Sequence, residues 1–315
     1  MLLSVIIICY NQKDFIAQAI ESVLSQQTGF TYELIIGDDS SSDGTSEIIS
    51  EYEKKHSFIR YYRHKNNLGL MGNYSFCHRQ AKGKYLAVLD GDDYWIDNEK
   101  LEKQVKLMES NSNIGMVHTQ YDVLYMYPKL FGKRYFKSVL SDRVANENCS
   151  FSGIYSNSMI CSSTVCYRKS IIDDSKLMDE FDKGTFAMED GPVHLMCSLN
   201  HEVVFIKDSS TVYRVNQSSV SHFTSKQKRL QFLEDTLNVR RYFEKLTVID
   251  QETKENLYQN RCLSFAHHYY KSNNPKEFKV MYKQINHKPL TLRLMYLGMW
   301  LKNNKLIRDE SFLKH

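Results

Sequence analysis

Paired cysteines are missing from this chain of 315 residues. Its seven cysteines, Cys9, Cys77, Cys149, Cys161, Cys166, Cys197 and Cys262, are odd in number and none stands in C-x-x-C spacing. That speaks against a disulfide framework and a zinc site, and reduced thiols fit a cytosol. No apolar run approaches the ~18 residues of a membrane span. The N-terminal run Leu2 to Cys9 has no basic residue before it and no small-residue cleavage site after it, so it does not read as a signal peptide. A cytoplasmic protein is expected, and nothing points to a nucleic-acid partner. Internal repeats and low-complexity stretches are also lacking. What remains is an ordinary globular composition, 42% hydrophobic and 25% charged, able to bury a sizeable core.

The net charge of +4 is unevenly spread. Residues 225–315 carry 18 Lys/Arg against 9 Asp/Glu, leaving residues 1–224 at −5. The chain therefore divides into an acidic front, 1–224, and a basic helical tail, 225–315. The tail is a candidate for peripheral contact with an anionic membrane at the inner face of the cell membrane, or else presents a solvated face. Its last helix, from Leu290, could pack or lie on lipid.

In the front half, Leu3 to Cys9 is a short, almost continuous β-branched run, as expected of a strand buried on both faces. Asp14 is placed to cap a helix whose apolar residues recur every four positions. Further strands are expected over 33–37, 58–63, 84–90 and 116–125, and again within 151–172 and 201–215. Helices over 73–81 and 98–111 alternate with the early strands. The fold class is α/β, a Rossmann-like, mixed but mainly parallel sheet flanked by helices, with a C-terminal helical extension.

Such sheets bind ligands beyond the carboxyl ends of their strands. Three polar clusters fall there: Tyr10-Asn11, Asp38-Asp39-Ser40, and Asp90-Gly91-Asp92-Asp93. The last drives an apolar strand into three carboxylates, hard oxygen ligands that suit Mg²⁺ or Mn²⁺. The first strand ends in Cys9-Tyr10-Asn11, without the Gly-rich basic loop that would cradle a triphosphate and without an Asp-x-Asp motif for phosphotransfer.

Four motifs in order, Val5 to Asn11, Ser22 to Gln27, Glu33 to Thr45 and Gly83 to Asp93, resemble those of the family 2 glycosyltransferases. The resemblance covers about residues 1–222. It implies a GT-A fold, a nucleotide-sugar donor, a divalent metal (Mn²⁺ or Mg²⁺) and inversion at the anomeric carbon. By the resemblance Tyr10 packs on the base and Asp39 accepts the imide N–H of a uracil, making UDP the expected carrier, with Asn11 beside them. Asp92 or its neighbour Asp93 binds the metal, Asp92 being preferred, and Asp90 holds the ribose or the metal's water shell. Met188-Glu189-Asp190-Gly191 matches the family's late acidic pair, with Asp190 as the base that takes the acceptor's proton and Glu189 behind it.

The stretch Val212 to His222 resembles the family's late Tyr-Arg-x-His element but has Asn216 where histidine is usual. Either His222 completes the metal and diphosphate site or Asn216 makes a neutral hydrogen bond there. Arg214 is expected to be structural, and Trp95 either walls the sugar pocket or packs in the core. A Gln-x-x-Arg-Trp element, expected of processive synthases, is missing, which favours transfer of a single sugar. The acceptor is expected to be a surface polysaccharide or a lipid-linked sugar. The alternative is a catalytically degenerate nucleotide-sugar binding protein, supported by Asn216.

Overall fold

The computed structural model describes residues 1–126, 136–140, 149–156, 160–215 and 226–300, with 136–140 and 226–233 described by backbone alone. The first half alternates strands and helices: β1 (Leu3–Cys9), α1 (Ile16–Leu24), β2 (Tyr32–Asp38), α2 (Thr45–Lys55), β3 (Ile59–Arg63), α3 (Gly69–Gln80) and β4 (Tyr85–Asp90). The two-residue β5 (Tyr94–Trp95), α4 (Lys100–Ser110), the long β6 (Ile114–Met126) and β7 (Phe136–Leu140) follow. Then come α5 (Phe151–Ser156), a 3₁₀ turn over Ser162–Thr164, β8 (Cys166–Arg168), α6 (Lys169–Asp173), α7 (Leu177–Asp182), α8 (Asp190–Leu199) and β9 (Glu202–Val215). The C-terminal region is helical: α9 (Lys226–Leu246), α10 (Gln251–Lys271), α11 (Pro275–Gln284) and a helical stretch over 290–300.

One nine-stranded sheet runs in the order β3-β2-β1-β4-β8-β6-β9-β5, with β7 added on β6. β1 to β4 pair in parallel, as does β6 with β9, whereas β8 is antiparallel to both β4 and β6. The sheet is buried on both faces because its central strands are apolar at most successive positions, with the buried Ser4 and Glu33 hydrogen-bonded to each other. Ile6, Ile8, Ile35, Leu86 and Val88 enter one core cluster, while Val5, Ile7, Leu34, Ile36, Ala87 and Leu89 enter the other. That alternation is the period-2 geometry of a strand.

Three local expectations are corrected. Asp14 does not cap α1: Phe15 stands at the cap position without a side-chain hydrogen bond, and the Gln12 carbonyl accepts the Phe15 and Ile16 N–H groups instead. α3 begins at Gly69 rather than Asn73, because the Asp39 carboxylate accepts the N–H groups of Leu68 and Gly69 and so opens the helix from a distant loop. The described residues within 151–172 do not form a run of strands. Their short apolar segments become α5, the 3₁₀ turn, the three-residue β8 and α6.

The first core cluster also takes in Val239 and Phe243 of α9, Ile249, and Leu257 of α10. A third, smaller cluster joins Cys262 and Ala266 of α10 to Phe278 of α11 and to Leu292 and Met299.

Candidate active site

Register brings the three polar clusters to one edge of the sheet. Cys9 pairs with Asp38 and Ile8 with Asp90, so Tyr10, Asp39 and Gly91 leave the sheet at the same level. β1 lies between β2 and β4, at the point where strand order reverses, the crevice in which open α/β sheets bind ligands.

The loops after β1 and β2 are tied to each other. The Asn11 N–H donates to Ser41 Oγ (2.9 Å), and Asn11 Oδ1 accepts the Ser42 N–H (2.9 Å). Further along, the Gln12 N–H donates to Thr45 Oγ1 and the Lys13 N–H to Asp43. Asn11 and Ser40 both hold left-handed backbone, with φ of 53° and 68°. This geometry leaves Tyr10 50% exposed.

Asp38 and Asp39 diverge in role. Asp38 is fully buried and accepts hydrogen bonds from Ser41 N–H, Ser46 Oγ and Tyr61 Oη, so it braces the loop. Asp39 is buried too. Its Oδ1 accepts the Leu68 N–H at 2.6 Å and its Oδ2 the Gly69 N–H at 2.9 Å.

The turn after β4 is tightly built. A Cβ on Gly91 would lie 2.1 Å from Gln12 Oε1 and 2.8 Å from Cys9 Cβ, so the close approach of the two loops requires glycine. Asp93 points inward: it accepts the Arg214 N–H (2.9 Å) and the Ser163 hydroxyl (2.7 Å), and has no exposed surface. Asp90 accepts the hydroxyl of Ser162 (2.9 Å), while its N–H donates to Ser163 Oγ (3.1 Å). Asp92, between them, is partly exposed. Arg214 secures the turn. Its guanidinium donates to the Asp92 carbonyl and to Gln18, and lies 4.4 Å from the Tyr94 ring centroid. Trp95 is core rather than pocket wall: it is buried, its indole N–H donates to the Ser163 carbonyl, and Lys100 Nζ sits 4.3 Å from its ring.

Asp190 is the first residue of α8, and its Oδ1 accepts the Gly191 N–H. Burial raises its carboxyl to about 6, helped by the Asp90 charge and opposed by the Gly191 N–H and by Arg240. Glu189, buried beside it, is pushed well above the usual carboxylate range by burial, then by Asp190 and Asp90. Burial likewise raises Asp93, with Asp92 and Asp90 adding to it, and raises Asp90 against the pull of Ser162 and Ser163. One negative field spans Asp90, Asp92, Asp93, Glu189 and Asp190. It reaches Cys161, whose thiol is raised by burial and then by Asp93, Asp90 and Asp190.

This donor set fits a hard divalent cation, since carboxylates raised by burial and by one another's charge relax when a cation shares that charge. Among the described residues no three His, Cys, Asp or Glu side chains already converge in ligand geometry. Asp92, partly exposed at the head of the turn, is the carboxylate of that turn best placed to meet one, as Asp93 is engaged inside the fold. His222 and Asn216 lie outside the described residues.

Three contributors, Ser162, Ser163 and Arg240, lie outside the motifs that the sequence offers. Ser162 and Ser163 are hydroxyls set in an otherwise apolar stretch, and that break in pattern was their signal. Arg240 comes from α9 and, with Met188, Asp190, Pro192, Asp235 and Val239, lines a small open cleft of about 90 Å³. It is buried, 5.2 Å from the Tyr155 ring centroid, and Tyr155 Oη donates to Glu244 one helical turn further along α9.

The model of glycosyl transferase family 2 matches residues 4–175, more than half of the chain. The chain belongs to this family. An uncharacterised protein of Mycobacterium tuberculosis (strain ATCC 25618 / H37Rv) is 27% identical to this family 2 chain over 236 residues, 72% of the chain and 63% of the relative. The putative teichuronic acid biosynthesis glycosyltransferase TuaG of Bacillus subtilis is 40% identical over 111 residues, 35% of this chain and 43% of TuaG. The UDP-Glc:alpha-D-GlcNAc-diphosphoundecaprenol beta-1,3-glucosyltransferase WfaP of Escherichia coli is 42% identical over 109 residues, 35% of this chain and 42% of WfaP. The chain thus spans less than two thirds of the length of these relatives. Among solved structures, S. aureus TarS 1-349 in complex with UDP-GlcNAc superposes with a TM-score of 0.54 at 17% identity, covering 90% of this chain and 92% of that one. The mannosyltransferase PcManGT from Pyrobaculum calidifontis, in complex with GDP-Man and Mn²⁺, gives 0.60 at 13% identity, covering 98% and 83%. These likenesses show the fold, which is GT-A.

Proposed function

We propose that this family 2 chain is an inverting, metal-dependent glycosyltransferase that moves a single sugar from a UDP-sugar to a hydroxyl of a surface-polysaccharide or lipid-linked acceptor. The observation that carries the reading is the shared sheet edge at which Tyr10, Asp39 and the Asp90–Asp93 turn meet, with the Asp90 charge felt at Asp190. Among the relatives, WfaP is named for UDP-Glc and TarS was solved with UDP-GlcNAc, which favours uridine; PcManGT, solved with GDP-Man, is the counterexample.

Tyr10, exposed after β1, stacks on the base. Asp39 accepts the imide N–H with lone pairs left over from Leu68 and Gly69, its orientation fixed by those two donors. Asn11 shapes the same loop, and Asp90 meets the ribose side of the donor. Asp92 would hold Mn²⁺ or Mg²⁺, with Asp93 keeping the turn in place. When bound, the cation neutralises charge that builds on the departing diphosphate as the glycosidic bond breaks. Asp190 takes the proton of the acceptor hydroxyl. Its raised pKa makes it a stronger base than an ordinary aspartate while leaving it ionised at neutral pH.

The reading is tested by thermal shift with a panel of UDP- and GDP-sugars in the presence of Mn²⁺. Selective stabilisation by one UDP-sugar is expected, and selective stabilisation by a GDP-sugar overturns the uridine assignment. The anomeric configuration of the transferred sugar, read by NMR, tests inversion directly.

A further inference from the structure

The helical stretch over residues 290–300 has two apolar faces. On one, Leu292 and Met299 are buried, and with Met295 and Tyr296 they pack against α10 and α11. On the other, Leu290 is 72% exposed, Leu294 58%, Leu297 51% and Trp300 55%. At 100° per residue Leu290, Leu294 and Leu297 fall within one narrow stripe, and Trp300 stands at its flank beside Arg293. A helix anchored by one apolar face needs no second one for folding, so the outer stripe asks for another partner.

The charge around the stripe identifies that partner. Residues 271–300 contain six Lys/Arg and one acidic residue, Glu277. Lys276, Lys279 and Lys283 on α11, and Arg293 on the stretch itself, are exposed. A protein partner would have to match a leucine stripe and a dense basic surround together. An anionic lipid surface supplies both, with acyl chains for the leucines, an interfacial zone for tryptophan and phosphate headgroups for the lysines. Among the described residues no helix is long and apolar enough to cross a membrane, so the contact lies in the plane of the surface.

We propose that the outer face of residues 290–300, formed by Leu290, Leu294, Leu297 and Trp300, docks this protein onto an anionic bilayer. The inference does not depend on sugar transfer. Docking would bring an enzyme with a lipid-linked acceptor to the surface that holds it.

The chain has two tryptophans, Trp95 and Trp300. Trp95 is buried, so a change in emission on adding vesicles reports Trp300. The full chain is mixed with vesicles of phosphatidylcholine alone or with about one third phosphatidylglycerol, and flotation and emission are followed from low to high NaCl. Flotation with the anionic vesicles, a blue shift absent in Trp300→Phe, and binding at least about tenfold weaker at high salt are expected. Leu294→Asp/Leu297→Asp should abolish flotation while leaving the melting temperature close to wild type, as both side chains are exposed. Equal binding to neutral vesicles, or no binding at low salt, overturns the proposal. So does a blue shift that appears without vesicles as protein concentration rises, which would assign the stripe to a second copy of the chain. The salt series uses the unmodified chain and stands even if the double variant misfolds.

Discussion

The Ser163 hydroxyl donates to Asp93 at 2.7 Å, inside the turn that carries the candidate metal-binding carboxylate. Ser163 also accepts the Asp90 N–H and is itself fully buried, so one side chain fixes both ends of the acidic turn. Ser163→Ala leaves a buried carboxylate and a buried N–H each short of a partner. The expected cost is about 1–3 kcal/mol, read as a lower midpoint in urea. Because the turn then loosens, Mn²⁺-dependent turnover should fall more than donor affinity does.

Asp190 sets the acid limb of the reaction. With its carboxyl raised to about 6, the base is protonated and idle below that pH, so kcat/KM should climb through pH 6 and level off above it. Asp190→Asn should lower kcat about 10²–10⁴-fold with little change in donor KM. The same raised pKa has a stability signature in metal-free protein. Asp190 titrates near 6 when folded against an ordinary 3.8, so its ionisation opposes folding at pH 8 and not below about pH 4. Asp190→Asn should therefore melt higher than wild type at pH 8, with the gap closing as pH falls through 6 toward 4.

Arg240 approaches the same carboxylate from α9. The titratable and charged side chains around Asp190 are Glu189, Asp90, Asp235 and Arg240, and of these the guanidinium favours its ionised form, as does the Gly191 N–H. Removing it should raise the pKa of Asp190. In Arg240→Met the acid limb is expected to move up by about one pH unit, and Arg240→Lys, which keeps the charge, should restore most of it. A pH–rate series on the three proteins separates this effect from a general loss of packing, which would lower the rate at every pH.

Asp39 serves two tasks that one substitution divides. Asp39→Asn keeps the shape but turns an amide N–H₂ toward the Leu68 or Gly69 N–H, at an expected cost of about 1–2 kcal/mol to the start of α3. It also loses the carboxylate offered to the base. Calorimetric titration with UDP should show binding about tenfold weaker or more, whereas ligand-independent properties such as the assembly of the sheet, followed by far-UV circular dichroism, should stay the same.

The parts of this fold that were legible were those written locally. Val5 to Cys9 and Leu86 to Leu89 are apolar at successive positions because both sheet faces are covered, and such runs announce buried parallel strands. Carboxylates directly after them could be placed at strand ends without knowing the strand order. What could not be read depended on contacts across the chain. α3 starts where Asp39 caps it, 29 residues away. β8 runs antiparallel between β4 and β6, a direction that three residues cannot encode. Short apolar runs in 151–172 suit a buried helix as well as a strand. Arg240 reaches Asp190 from a helix 50 positions further on, with nothing nearby in sequence to mark it.

The central claim is that Asp92 holds the cation that drives donor cleavage. It is tested most directly by following UDP release from the stabilising UDP-sugar, with Mn²⁺ or with EDTA, by the wild-type chain and Asp92→Asn. The account predicts release that requires Mn²⁺ and drops at least about 10²-fold in Asp92→Asn, with the melting temperature of the metal-free variant no lower than that of wild type. Equal release in EDTA, or a folded Asp92→Asn variant as active as wild type, would contradict it.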